Sequence, residues 1–164
     1  MITVYYTQTE CDSLSYLIKL FREKYSISFD ALCFGEHGKP YLEGTPLHFN
    51  LSHSGKLLAV AVSDLEVGID VQERTEKGYP FLRMRLTPAE REEDFFRLWT
   101  AKEAYVKLRG TTLAHTLFSL EYKKGKLHEN GTPLSVFLSH SELLGCAVTV
   151  CAEKETEVRF LPFG

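Results

Sequence analysis

The chain has 164 residues, of which 44% are hydrophobic and 25% charged, with a formal net charge of −3. This is the balance of an ordinary globular domain; it excludes a disordered, collagen-like or coiled-coil chain and leaves no global positive field for nucleic acid. No apolar run approaches the roughly 18 residues a membrane span needs, Met1–Tyr6 has neither the basic head nor the apolar stretch of a secretory leader, and the length fits one domain or two halves of about 80 residues.

In chain order, Met1–Thr7 reads as a strand, and Leu14, Leu17, Ile18 and Phe21 follow helical spacing after an N-cap at Asp12 or Ser13. Gly35, Gly38 and Pro40 mark a loop. Leu47, Phe49 and Leu51 alternate with His48, Asn50 and Ser52, as on a half-buried strand, and Leu57–Val62 is apolar on both faces, as in a central strand. Ser63–Glu66 reads as a turn into a partner strand, Val67–Gln72. Thr87-Pro88-Ala89-Glu90 carries the cap, proline and glutamate of a helix start. A second helix is predicted from Asp94 to Arg109, ended by Gly110. Strands follow near Phe118–Tyr122, Ser135–Leu138 and Gly145–Cys151, with hairpin punctuation at Asn130-Gly131.

The cysteines Cys11, Cys33, Cys146 and Cys151 form no C-x-x-C pair. Without a secretory leader they read as reduced, mostly buried thiols of a cytoplasmic protein, Cys146 and Cys151 facing opposite sides of a strand. One internal echo exists: Leu51-Ser52-His53-Ser54 recurs 87 residues later as Leu138-Ser139-His140-Ser141. Four matched residues leave duplication and coincidence equally open.

Polar chemistry collects in three places. On Val67–Gln72 the side chains of Asp70 and Gln72 share a face with Gly68, which suits an oxygen-ligated cation such as Mg²⁺ or, more simply, a solvated sheet face. On the second helix Phe95, Leu98, Trp99, Lys102 and Val106 fall on one stripe, so Lys102 needs a partner or must snorkel. Glu103 and Lys107 flank that stripe as an i, i+4 pair, a spacing equally suited to a surface ion pair and to a carboxylate with a shifted pKa. Asn50–Gly55 has the small hydroxyls, glycine and histidine of a phosphate-wrapping loop, although a lone His53 is more often a structural hydrogen-bonder. Zinc ligation is not indicated, because His37, His48 and His53 lack tight ligand spacing. An oxygen-ligated cation, a phosphate loop and lysines are together the means of phosphoryl chemistry.

Gly38-Lys39-Pro40, Phe49–Ser54, Val67-Gly68-Ile69-Asp70-Val71 and Trp99-Thr100-Ala101-Lys102-Glu103-Ala104-Tyr105-Val106-Lys107 occur in that order. In this set the chain resembles the Sfp-type 4′-phosphopantetheinyl transferases. The resemblance implies an α+β fold of two similar halves, 1–75 and 76–164, packed as a monomeric pseudo-dimer with the site between them. It implies transfer of 4′-phosphopantetheine from coenzyme A to a carrier-protein serine, dependent on Mg²⁺ and releasing 3′,5′-ADP. By the family pattern Asp70 and Glu103 hold the ion, with Gln72 beside them, and Glu103 also deprotonates the serine. Lys107 contacts the diphosphate, with Lys102 in the same role or a structural one. Ser52 and His53 hold coenzyme A phosphates, and Lys39 and Pro40 line the adenine end.

Two departures stand out. Gln72 occupies the position of a third family acid, removing one negative charge, as in some other members. Longer relatives also carry more chain before the Gly-Lys-Pro motif, with basic residues for the 3′-phosphate; Lys19, Arg22 and Lys24 are candidates by location. Arg83, Arg85, Arg91 and Arg97 offer a basic surface to an acidic carrier, or a solvated face shared with Glu90, Glu92 and Glu93. Two other readings are a degenerate module that binds coenzyme A or a carrier without turnover, and an unrelated Mg²⁺-dependent phosphohydrolase.

Overall fold

Period-two patterning builds most of the molecule. In the computed structural model, which describes residues 1–8, 12–35, 38–75, 79–111 and 119–164, strand β1 (Ile2–Gln8) precedes helix α1 (Ser13–Tyr25), and β2 (Leu32–Phe34) precedes β3 (Pro40–Leu42). Strands β4 (His48–Ser54), β5 (Leu57–Ser63) and β6 (Val67–Glu73) lead to a short helix α2 (Pro80–Arg83) and the long helix α3 (Phe95–Arg109). The chain continues through β7 (Leu120–Lys123), β8 (Lys126–Glu129), β9 (Thr132–Pro133), β10 (Phe137–Leu143), β11 (Cys146–Ala152) and β12 (Val158–Pro162). The fold is α+β, and no described helix is long and apolar enough to cross a membrane.

Two sheets form the centre, one ordered β12-β1-β5-β4 and the other β10-β11-β6. Their inner faces meet in an apolar layer that includes Ile2, Val4, Ala59 and Ala61 from the first and Val67, Ile69, Val71, Val148 and Val150 from the second. Helix α1 covers the outer face of the first sheet through Tyr16, Leu17, Leu20 and Phe21, while Leu14 of the expected stripe is exposed. Its cap is Asp12, which accepts from the Ser15 N–H at 3.0 Å. Helix α3 covers the second sheet through Leu98, Ala101, Ala104, Tyr105 and Leu108. It starts at an Asp94 cap and ends at Gly110 in the left-handed region, as expected.

Several expectations need correction. Strand β6 does not pair with β5, whose two edges are already taken by β1 and β4, so it crosses to the second sheet and pairs with β11. Sheet membership therefore changes between β5 and β6, and β12 returns to pair with β1. Thr87 and Glu90 do form a reciprocal capping box, at 3.1 and 3.3 Å, but on a single 3₁₀ turn. Gly35, Gly38 and Lys39 lie between β2 and β3, which pair with each other, and β12 has no counterpart among the expected strands. Phe118 and Cys11 lie outside the described residues. Cys146 and Cys151 are free, buried and in different core clusters on opposite faces of β11, and Cys33 is free and half-buried.

The echo is not a position-for-position equivalence. The β4–β5 hairpin closes at Ser54 opposite Leu57, and the β10–β11 hairpin at Leu143 opposite Cys146, an offset of 89 residues rather than 87. The hairpins thus place Glu142, not His140, opposite the role of His53.

Candidate functional site

The site forms where the edge of one sheet meets the edge of the other. Asn50, Ser52 and Ser54 fall on one side of β4, and their oxygens accept from three N–H groups of β6: Ile69 at 3.1 Å, Val71 at 3.2 Å and Glu73 at 2.9 Å. Side chains thus satisfy a strand edge that, among the described residues, no backbone partner reaches. The Asn50–Gly55 segment is therefore a strand with a tight turn rather than a phosphate-wrapping loop, and Ser52 and His53 point to opposite faces. His53 is exposed, whereas Ser52 is buried with its hydroxyl fully engaged.

Ser52 leads directly to Asp70. Its hydroxyl donates to Asp70 Oδ1 at 2.9 Å, while Lys107 Nζ lies 2.9 Å from Ser52 Oγ and 2.7 Å from Asp70 Oδ1. Asp70 is only 2% exposed, so the Lys107 ammonium is the partner that keeps its charge tolerable. Gln72 Nε2 donates to Asp70 Oδ2 at 3.2 Å, and Gln72 Oε1 accepts from the Tyr79 hydroxyl at 3.3 Å.

Glu103 lies one turn before Lys107, and no described residue donates a hydrogen bond to its carboxylate. Burial raises its pKa, the negative charge of Asp70 raises it further, and Lys107 offsets only part of this. Two carboxylates within electrostatic reach, one of them short of partners, form a hard oxygen set that fits a divalent cation such as Mg²⁺. Gln72 turns its amide nitrogen, not its oxygen, toward this set, so it is a donor to Asp70 in this arrangement.

The structure leaves the other candidates apart from the cluster. Lys39 donates to Glu66 at 2.8 Å and to the Leu108 carbonyl at 3.3 Å, tying the β2–β3 hairpin, with Pro40, to the last turn of α3. Lys19 and Lys24 each hold the ammonium 5.4 Å from the centre of the Phe163 ring. Arg83, Arg85, Arg91 and Arg97 are all exposed, whereas Glu90 is only 1% exposed and belongs to no solvated face.

Lys102 is the clearest departure. Its ammonium pairs with Glu90 at 2.5 Å, both side chains being almost wholly buried. Glu90 in turn accepts from the Tyr122 N–H at 2.9 Å. The helix is buried on most sides, not on one stripe, and the face carrying Lys102 meets the Glu90 turn rather than Asp70. Lys102 therefore takes the structural role its place on an apolar face allowed. Replacing it alone, as Lys102→Met, leaves a buried unpaired carboxylate and is expected to cost about 3–5 kcal/mol in a denaturant melt. The double variant with Glu90→Gln should recover much of that loss; no recovery would place the cost in packing instead.

Against this geometry, residues 66–147 match the family model of the 4′-phosphopantetheinyl transferase superfamily. The chain is 35% identical over 126 residues to the 4′-phosphopantetheinyl transferase psf-1 of Bacillus pumilus, covering 68% of this chain and 53% of that protein. It is 43% identical over 94 residues to AcpT of Salmonella typhi, covering 48% and 49%, and 33% identical over 135 residues to AcpT of Escherichia coli K12, covering 73% and 65%. The chain spans about half the length of the first curated relatives it matches.

Proposed function

Because the chain belongs to the 4′-phosphopantetheinyl transferase superfamily, we propose that it moves 4′-phosphopantetheine from coenzyme A to a serine hydroxyl of an apo acyl or peptidyl carrier protein. The observation that carries this reading is the joining of Asp70, Glu103 and Lys107 at the seam of two sheets, each covered by its own helix. Strand orders β4-β5-β1 and β10-β11-β6, with α1 and α3 outside, support two halves packed as a pseudo-dimer, the second half starting at β6. A chain built this way carries its own seam and needs no second copy to complete it.

Asp70 and Glu103 would hold Mg²⁺, which when bound supplies positive charge against the diphosphate and the leaving 3′,5′-ADP. Lys107 has a half-exposed, flexible stem, so its ammonium can exchange Asp70 for a diphosphate oxygen. Glu103 accepts the serine proton directly or through a water, and its raised pKa suits that base role. The serine oxygen attacks the β-phosphorus, its bond to phosphorus forms as the bond to the α-phosphate bridge breaks, and 3′,5′-ADP leaves with the bonding pair. Lys39 and Pro40 would line the adenine end, and exposed His53 would meet a phosphate. Phe81 and Met84, 77% and 68% exposed, stand beside Arg83 and Arg85 and next to Tyr79, which reaches Gln72. This apolar and basic ledge suits an acidic carrier domain.

The test is direct. The full chain is incubated with apo carrier proteins, coenzyme A and Mg²⁺, and the carrier serine is examined by mass spectrometry for the phosphopantetheine increment. Coenzyme A binding with no increment on several carrier classes would leave a binding module, and phosphate release without modified carrier a hydrolase.

Gln72 offers a second measurement. The Gln72→Glu variant adds a carboxylate beside Asp70 and is expected to lower the Mg²⁺ concentration for half-maximal transfer by about tenfold, with transfer at saturating Mg²⁺ preserved. An unchanged Mg²⁺ titration would remove position 72 from the ion's surroundings.

A further inference from the structure

The outer face of the second sheet carries a polar row in an otherwise apolar helix–sheet contact. By strand register Asp70, Thr149 and His140 stand side by side on β6, β11 and β10. Thr149 and Thr100 are fully buried, and their hydroxyl oxygens lie 2.6 Å apart. His140 Nδ1 lies 2.8 Å from Thr149 Oγ1, and its Nε2 lies 3.1 Å from the Tyr122 hydroxyl. Thr100 donates to the Phe96 carbonyl at 2.9 Å, which sets the direction of the whole chain. Thr149 then donates to Thr100, His140 Nδ1–H donates to Thr149, and the Tyr122 hydroxyl donates to Nε2. Burial first, and the Arg97 charge second, hold His140 neutral with a pKa of about 4, the state this polarity requires.

We propose that the row Tyr122–His140–Thr149–Thr100 is a positioning device that fixes the seat of α3 on the sheet, and so the placement of Glu103 and Lys107 against Asp70. Apolar packing alone is non-directional and tolerates small slides and rotations of a helix. A hydroxyl pair at 2.6 Å does not, because any other seat leaves the buried Thr149 O–H without its acceptor. Thr100 precedes Glu103 by one turn, and Thr149 stands opposite Asp70 on the neighbouring strand, so the pair ties the helix that carries Glu103 to β11, the strand paired with the β6 of Asp70. The effect on transfer rests on the function proposed above; the seating of the helix does not.

The experiment compares Thr149→Val, which keeps shape and removes the hydroxyl, with Thr149→Ser, which keeps the hydroxyl. Seating is read from amide hydrogen exchange over residues 95–109 and from near-ultraviolet dichroism of Trp99, the single tryptophan, stacked on Phe95 within α3. The valine variant is expected to exchange its α3 amides about tenfold faster, with an altered Trp99 signal. Its kcat for transfer should fall about tenfold while KM for coenzyme A stays within about twofold. The serine variant should restore all three. An unchanged α3 in Thr149→Val, or a serine variant no better than valine, overturns the proposal. Should Thr149→Val fail to fold, Thr100→Val against Thr100→Ser is judged by the same criteria from the helix side. A wild-type chain inactive in transfer, with the exchange result intact, would sink the functional reading and leave the positioning role standing.

Discussion

Glu103→Gln is expected to reduce carrier modification by at least about a thousandfold while leaving the fold as stable as the parent, or more so. The first half follows from two duties on one side chain. An amide accepts no proton from the attacking serine, a loss of roughly 10²–10⁴ in rate, and it brings no charge to a cation shared with Asp70. The second half follows from its pKa. Burial and then the charge of Asp70 raise the folded pKa of Glu103 above its ordinary value. The folded chain therefore binds more protons there than the unfolded one, and stability falls as pH rises through the window between the two values. At neutral pH the glutamate is a net cost to the fold, which glutamine removes. A variant retaining more than about a tenth of parental transfer would take the base role away from Glu103, and a lowered melting midpoint at pH 7 would contradict the electrostatic account.

How much of this was visible in the residue order depends on what kind of information each feature uses. The all-apolar run of β5 announced a central strand, and Asp94 and Gly110 announced the ends of α3, because both signals are local. Asp70 and Lys107 come from separate elements of the sequence, and a 2.7 Å ion pair joins them in the fold. The role of Ser52 was not legible. Alternation says that Asn50, Ser52 and Ser54 share a face, but not that this face meets the free edge of a strand in another sheet. The partner of Lys102 was hidden for a related reason: Glu90 read as a capping glutamate, which it is, and one oxygen was left over for a lysine twelve residues on. Likewise, the turn at Ser63–Glu66 is short enough for a hairpin, yet whether a strand turns back or crosses over depends on which edges are already occupied.

Gly68 carries the largest expected structural effect. A Cβ added there would stand 2.0 Å from the carbonyl oxygen of Ala104 and 2.6 Å from the backbone nitrogen of Leu108. Both are helix backbone atoms, so no side-chain rotation relieves the clash, and α3 must lift from β6. Gly68→Ala is expected to cost about 3 kcal/mol or more, at the upper end for overpacked sites. Gly55 provides the contrast: its added Cβ would meet only the end of the Glu73 side chain, which can swing aside, leaving the milder penalty of a left-handed backbone. The functional loss at Gly68 should exceed what unfolding explains, because Glu103 and Lys107 immediately precede the two contact residues. A lift of about 1 Å displaces both from Asp70 together, enough to cost on the order of a hundredfold in rate. Transfer per folded molecule, taken from the same samples as the melts, separates the two effects. A Gly68→Ala chain with an unchanged midpoint would mean that helix and strand can part without strain, and the close approach would then not be what holds the acids together.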